Sequence, residues 1–279
     1  MSRKRWNTSS FLTSNTTQQN ALIILNTPLV HDALFQEIWS AASLRICADG
    51  GANRLYSRYA KGSLARNSER TGRSTLSDSG SVRNATQVTQ DESNQWLPDV
   101  IKGDFDSLRP DVRQYYQDRG VQIIHDSDQF STDLGKCVAH VAELERTLEH
   151  EYQLIIVGGL SGRLDQTIHT LHALMQLEQD RAMTWAIGEE SIACVLGKGD
   201  HELTISPERF GKTCGILPVG QEAYVTTTGL EWDLGPTSYM FPTSLASGVS
   251  TSNHLQHETI TLTTDAPIVF TAEVRLAEY

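Results

Sequence analysis

The chain has 279 residues, 39% of them hydrophobic and 20% charged, with a formal net charge of -11. That length suits one large globular domain or two modest ones. The acidity argues against general nucleic-acid binding, which favours a basic footprint, and no run approaches the ~18 apolar residues of a membrane span.

The first twenty residues carry Arg3, Lys4 and Arg5, many Ser and Thr, and no acid. They read as a flexible N-terminal arm, faintly like a transit peptide but without an amphipathic stripe. Ala21–Leu25 reads as a buried strand, ended by Asn26-Thr27-Pro28. Asp32 to Ala42 has helical spacing, with Leu34, Phe35, Ile38 and Trp39 on one face. Leu44–Ala48 is a second strand, running into Asp49-Gly50-Gly51-Ala52-Asn53. A carboxylate and two glycines at a strand's C-terminal end suit a ligand site in an open α/β sheet; they also make an ordinary tight turn. Residues 61–95 are rich in Ser and poor in large apolar residues, and read as a mobile surface insertion, because the α/β rhythm resumes after it.

Pro98–Ile101 is a third strand, leading to Gly103-Asp104-Phe105-Asp106-Ser107. Carboxylates at i and i+2 project to one side of an extended or loop backbone. They repel unless a cation lies between them, and a hard cation such as Mg²⁺, arriving with a nucleotide's phosphates, fits. A solvated acidic turn is the plainer alternative. Gly103 is expected to let the chain turn sharply. Asp111–Asp118 is helical and Val121–Ile124 a fourth strand. In Asp126-Ser-Asp-Gln-Phe-Ser-Thr-Asp133, Ser131 or Thr132 caps a helix running to about Leu148 and sets Asp133 in its first turn.

Leu154–Val157 is a fifth strand, followed by Gly158-Gly-Leu-Ser-Gly-Arg-Leu-Asp-Gln166. A glycine turn before a helix exposes amides to a phosphate, and Arg163 adds a guanidinium fork. The motif is neither G-x-G-x-x-G nor a P-loop. His169 and His172 lie at i, i+3 without a further ligand and read as surface or packing residues. After Trp185 short alternating runs replace helices, which predicts an antiparallel sandwich or barrel beginning near residues 186–191. There Trp232, closing Thr226–Trp232, either stacks on a flat cationic ring or packs internally. Ser247–Asn253 is a run of small hydrogen-bonding residues. The four cysteines form no metal or redox spacing and read as buried free thiols of a reducing compartment, the cytoplasm.

Asp49, the Asp104/Asp106 pair, Asp126–Asp133 and the Gly158 turn all follow predicted strands. Parallel strands would bring such ends to one edge, as a Mg²⁺-nucleotide crevice. Cys47–Tyr56, Gly103–Ser107, Asp128-Gln129 with Thr132-Asp133, Gly158–Gln166, Thr226–Trp232 and Val249–Asn253 together resemble thiamine pyrophosphokinase of the eukaryotic type, in this order and from about Ala21 onward. The resemblance implies an α/β domain with a mostly parallel sheet over 21–188, an all-β sandwich over 189–279, and a homodimer with sites between subunits. It implies transfer of pyrophosphate from ATP to the hydroxyl of thiamine, giving thiamine diphosphate and AMP. Asp104, Asp106 and Asp133 then match Mg²⁺ ligands, with Asp49 and Arg163 also catalytic. Gln129, Thr132, Gly158, Gly159 and Arg163 match the nucleotide side. Asp165, Trp232, Ser250, Thr251, Ser252 and Asn253 match the thiamine side. Residues 61–95 and the Phe130-Ser131 pair depart from the family pattern. Two competing readings are a pyrophosphokinase for another hydroxymethyl heterocycle, such as a pterin, and a non-catalytic thiamine or nucleotide sensor.

Overall fold

The computed structural model describes residues 3–12, 19–60, 95–181, 183–235 and 249–275. The expected insertion, except Gln95, therefore lies outside the described residues, as do Ser247 and Gly248. In chain order the elements are β1 (Lys4–Asn7), a 3₁₀ turn (Thr8–Phe11), β2 (Asn20–Ile24), α1 (Asp32–Ala41), β3 (Ala42–Ala48), α2 (Gly51–Leu55) with a π-helical turn (Tyr56–Ala60), and β4 (Val100–Gly103). Then come α3 (Pro110–Gln117), β5 (Gln122–His125), α4 (Asp133–Leu148), β6 (Gln153–Val157), α5 (Leu164–Asp180), β7 (Thr184–Ile187) and β8 (Ser191–Leu196). The last are β9 (Gly199–Thr204), β10 (Phe210–Leu217), β11 (Val225–Thr228), β12 (Ser250–His254), β13 (Thr259–Thr264) and β14 (Ile268–Val274). Two compact units hold them: residues 24–26 with 44–140, and residues 1–23, 27–43 and 141–279.

In the smaller unit β3, β4 and β5 run parallel, with Ile46 opposite Val100 and Ile101 opposite Ile123. Ile46, Cys47, Val100 and Ile101 are buried, the near-continuous apolar run that a parallel strand covered on both faces requires. Helix α3 turns Val112, Tyr115 and Tyr116 inward. Tyr116 packs edge-on against Tyr115 at 5.1 Å and Tyr56 at 6.4 Å. Tyr59 and Trp96 stack face to face, ring centroids 4.1 Å apart and 15° from parallel.

The larger unit carries two sheets, in the orders β12-β10-β14-β8-β7-β6-β2 and β1-β9-β13-β11. Strands β6 and β7 are parallel, and within the first of these sheets the pairing from β8 onward is antiparallel. The change of sequence pattern after Trp185 is thus real, but the sheet continues through the turn at Gly188–Glu190, where Gly188 N donates to Ser191 O. Strands β9 and β13 alternate buried with partly exposed residues, as strands with one covered face must.

The expectation of a loose N-terminal arm is corrected for residues 4–11. Strand β1 pairs in parallel with β9. Trp6 and Phe11 are buried, and both pack against Trp185, at 5.7 and 5.8 Å between ring centroids. The Trp6 indole donates to His201 Nδ1 at 3.0 Å, and His201 Nε2 lies 2.7 Å from Gly197 O. Burial holds the His201 pKa below its ordinary value, consistent with a neutral ring accepting on Nδ1 and donating on Nε2. Two aromatics and this bond tie down a segment whose composition alone looks unstructured.

Candidate functional site

Three parallel strands of the smaller unit end in acids: β3 at Asp49, β4 at Asp104 and Asp106, and β5 at Asp126. Helix α4 adds Asp133 from its first turn. Asp49, Asp104 and Asp133 each turn a carboxylate oxygen to a common point, all three within 4.8 Å of one another; no other such cluster occurs among the described residues. Gly103 makes the approach possible through space rather than through a special turn. Its φ is not among the positive values. A Cβ there would lie 2.7 Å from Asp49 Cβ and 3.0 Å from Asp133 Oδ1, so any side chain at Gly103 would push the two acids apart.

The carboxylates differ in surroundings. Asp49 is buried and holds an uncommon positive φ of 42°. Its Oδ2 accepts from Ser107 N at 3.0 Å, while its Oδ1 is buried without a hydrogen-bond partner. Burial, with the charges of Asp133 and Asp106 alongside, pushes its pKa up to about 6. Burial and the Asp104 charge also raise the pKa of Asp133, whose Oδ1 likewise has no hydrogen-bond partner. Asp104 is held below the usual carboxylate range by the Asp106 amide, Lys136 and Gln129. Gln129 Nε2 donates to Asp104 Oδ2 at 3.2 Å. Two buried carboxylate oxygens that accept no hydrogen bond, one of them facing the Lys136 ammonium at 3.6 Å, in an all-oxygen set, fit a hard divalent cation. The structure brings Asp49 into the three where Asp106 was expected. Asp106 accepts from Ser107 Oγ at 2.8 Å and lies against Asp49.

Sequence reasoning missed Lys136. Its side chain is 2% exposed, and its Nζ lies 3.4 Å from Asp104 Oδ2 and 3.6 Å from Asp133 Oδ1. The available signal was spacing: Lys136 stands at i+3 from Asp133 on α4, one turn on and on the same face. Lys102 similarly pairs with Asp126 at 2.9 Å. Thr132 caps α4, its Oγ1 accepting from Gly135 N at 3.2 Å. Ser131 instead donates to Asp128, and Phe130 is fully exposed.

In the larger unit the glycine turn after β6 has left-handed backbone at Gly158, Gly159 and Gly162, with φ of 102°, 78° and 87°, which L side chains resist. The expectation that the first two amides face a phosphate is corrected: Gly158 N donates to Ile187 O at 2.8 Å and Gly159 N to Thr27 Oγ1 at 3.2 Å. The fork of Arg163 grips Asp165, with Nε–Oδ1 3.1 Å and Nη2–Oδ2 2.5 Å. That pairing lowers the Asp165 pKa, and both side chains stay largely exposed.

Trp232 sits on a turn held from two sides. Asn253, buried, accepts from Trp232 N at 3.2 Å and donates to Trp232 O at 2.8 Å. Asp233, missed in the sequence, accepts from Leu230 N, Gly229 N and Thr227 Oγ1. The ring is 37% exposed, with His254 5.4 Å away and tilted. The run 250–253 divides. Ser250 lies in hydrogen-bond reach of Asn253, whereas Thr251 and Ser252 line a separate groove of about 540 Å³ with Glu190, Cys214, Thr271 and Glu273. All four cysteines are free and buried. His169 is partly exposed and His172 exposed, in no metal cluster among the described residues.

Residues 35–186 match the family model described as thiamin pyrophosphokinase, catalytic domain, and residues 200–269 match thiamin pyrophosphokinase, vitamin B1 binding domain. A curated relative, thiamine pyrophosphokinase 1 of Arabidopsis thaliana, is 33% identical over 277 residues, covering 96% of this chain and 92% of that protein. Thiamine pyrophosphokinase 1 of Oryza sativa subsp. japonica is 33% identical over 258 residues, covering 91% and 87%. Among solved structures, thiamin pyrophosphokinase from Candida albicans superposes with a TM-score of 0.75 at 22% identity, covering 98% of this chain and 93% of that one.

Proposed function

The chain belongs to the thiamine pyrophosphokinase family, and from that membership we propose how its own residues divide the family's reaction. The enzyme transfers the pyrophosphoryl group of ATP to the hydroxyl of thiamine, yielding thiamine diphosphate and AMP. Neither a pterin substrate nor a silent sensor is favoured beside a catalytic-domain match and a vitamin-binding match on one chain.

The observation that carries the site assignment is the three-carboxylate cluster with its buried oxygens that accept no hydrogen bond. Asp49, Asp104 and Asp133 would hold Mg²⁺, with Asp106 backing Asp49. When bound, the ion supplies neutralisation of the phosphate charge. The chain's residues do the rest by positioning. The thiamine hydroxyl oxygen bonds to the β-phosphorus, the bond to the AMP oxygen breaks in line, and the hydroxyl proton passes to a carboxylate of the cluster. Gln129 orients Asp104, and Thr132 fixes the start of α4 and with it Asp133. Arg163, released from Asp165, offers its fork to phosphate oxygens. Gly158 and Gly159 contribute a turn without side chains rather than amide donors. Trp232, clamped by Asn253, is the face on which the cationic thiazolium ring stacks, with Ser250 supporting Asn253; Thr251 and Ser252, which line a separate groove, and Asp165, paired with Arg163, are not assigned to that face.

In this reading the enzyme is a homodimer with sites between subunits, and Leu164 and Ile168, exposed at i and i+4 on α5, would be covered by the partner. Four free thiols support a cytoplasmic home, and no described helix is long and apolar enough to cross a membrane. The deciding experiment is AMP release from Mg²⁺-ATP with and without thiamine. AMP formation that depends on thiamine is expected. AMP formation only with a hydroxymethyl pterin, or none with either, would overturn the reading.

A further inference from the structure

We propose that Lys136 is the resident counter-cation of the carboxylate cluster, so that the free protein binds divalent metal weakly and the metal enters together with the nucleotide. The inference deepens the functional reading above and rests on it for the nucleotide. The geometry is unusual for a lysine. Its side chain is almost wholly withdrawn from water, and its ammonium lies 3.4 and 3.6 Å from two acids, Asp104 just past the end of β4 and Asp133 in the first turn of α4. Lysine is rarely buried unless it is paired. Here it also stands one helical turn from a cluster member, so the backbone of α4 fixes it in place. With Lys136 present, the charge facing a lone divalent ion is reduced by one, and the ion must approach a like charge at close range. A nucleotide's phosphates change the balance: they bring negative charge for both cations. The Lys136 ammonium is then free to leave Asp104 for a phosphate oxygen. Lys136 is thereby a positioning residue before substrate arrives and a phosphate contact afterwards.

The test is Mn²⁺ binding to the full chain by calorimetry without nucleotide, in wild type, K136M and K136R. K136M should bind Mn²⁺ at least tenfold more tightly than wild type, and Mn²⁺ should raise its melting temperature more. K136R, which keeps the charge, should bind as weakly as wild type. Turnover of K136M should fall at saturating Mg²⁺, as loss of a phosphate contact requires, and turnover equal to wild type overturns that part of the proposal; the Mn²⁺ affinities separate the counter-cation role from simple ligand positioning. Equal or weaker Mn²⁺ binding by K136M, or tight binding by K136R, overturns the proposal. If K136M does not fold, K136Q read by the same calorimetry decides in the same way. The metal measurement needs no turnover, so it stands even if thiamine-dependent AMP release fails.

Discussion

Replacing Gly103 by alanine tests the close approach on which the cluster depends. The added Cβ would sit 2.7 Å from Asp49 Cβ, 3.2 Å from Asp49 Cα and 3.0 Å from Asp133 Oδ1. Ordinary contact begins near 3.4 Å, so Asp49 must recede by about 0.7 Å. It cannot do so freely, because Asp49 N donates to Lys102 O at 2.9 Å, and Ala48 is in register with Lys102. Overpacking of this kind costs about 1–3 kcal/mol. A displacement approaching 1 Å at a reacting centre can cost on the order of a hundredfold in rate. Urea unfolding of G103A should therefore show that loss of stability, and AMP release at saturating substrates should fall by roughly 30- to 100-fold. Gly135→Ala is the internal control. Its Cβ would meet nothing nearer than Thr132 Oγ1 at 3.5 Å, so a helical glycine only two residues from Asp133 should become more stable by about 0.5–1 kcal/mol. Stability and turnover near wild type in G103A would refute the argument that this glycine exists to admit Asp49.

Asp49 should make the metal-free protein sensitive to pH. Its folded pKa, about 6, lies above the ordinary 3.8, so the contribution present below pH ~4 is lost as pH rises through about 6. Urea titrations of wild type and D49N should thus diverge by on the order of 2 kcal/mol between pH ~4 and ~7, with D49N gaining relative to wild type; a pH-independent difference would dismiss the desolvation account. Trp232→Ala should raise the thiamine KM by about 5- to 30-fold with little change in kcat, checked by steady-state kinetics. Asn253→Ala should move the KM in the same direction while costing about 1–3 kcal/mol of stability, since it frees both backbone groups of Trp232; an unaltered KM would show that the clamp does not serve the ring. Trp6→Phe should cost about 1–2 kcal/mol in thermal or urea unfolding by leaving His201 Nδ1 without its donor, and a neutral result would return the N-terminal segment to the periphery of the fold.

Most of the parallel architecture was legible because buried strands such as Leu154–Val157 are apolar without interruption, and their ends carry acids or glycines. The acids themselves stood out as Asp49, Asp104 and Asp133. What pattern could not supply was distance. Asp104 and Asp106 are neighbours in sequence, yet Asp49, more than fifty residues earlier, joins the three-oxygen set. Periodicity likewise says nothing of the close approach of Asp49 and Asp133 to Gly103. Strand β1 escaped notice because a four-residue strand shows one alternation at most, and its partner β9 lies almost two hundred residues away. Ser250–Asn253 looked uniform as a string, but a positive φ of 56° at Ser252 breaks the alternation and sends its members to different surroundings.

The stacked pair Tyr59–Trp96 has a consequence for how β3 and β4 come side by side. Tyr59 follows β3 and Trp96 precedes β4, so the two rings, centroids 4.1 Å apart, hold the approach to β4 against the exit from β3. A ring pair of this kind contributes about 0.5–1.5 kcal/mol beyond its buried area. Asp49 and Asp104, just beyond the ends of those two strands, inherit the alignment: a pair of aromatic rings outside the cluster helps set the spacing of two of its acids.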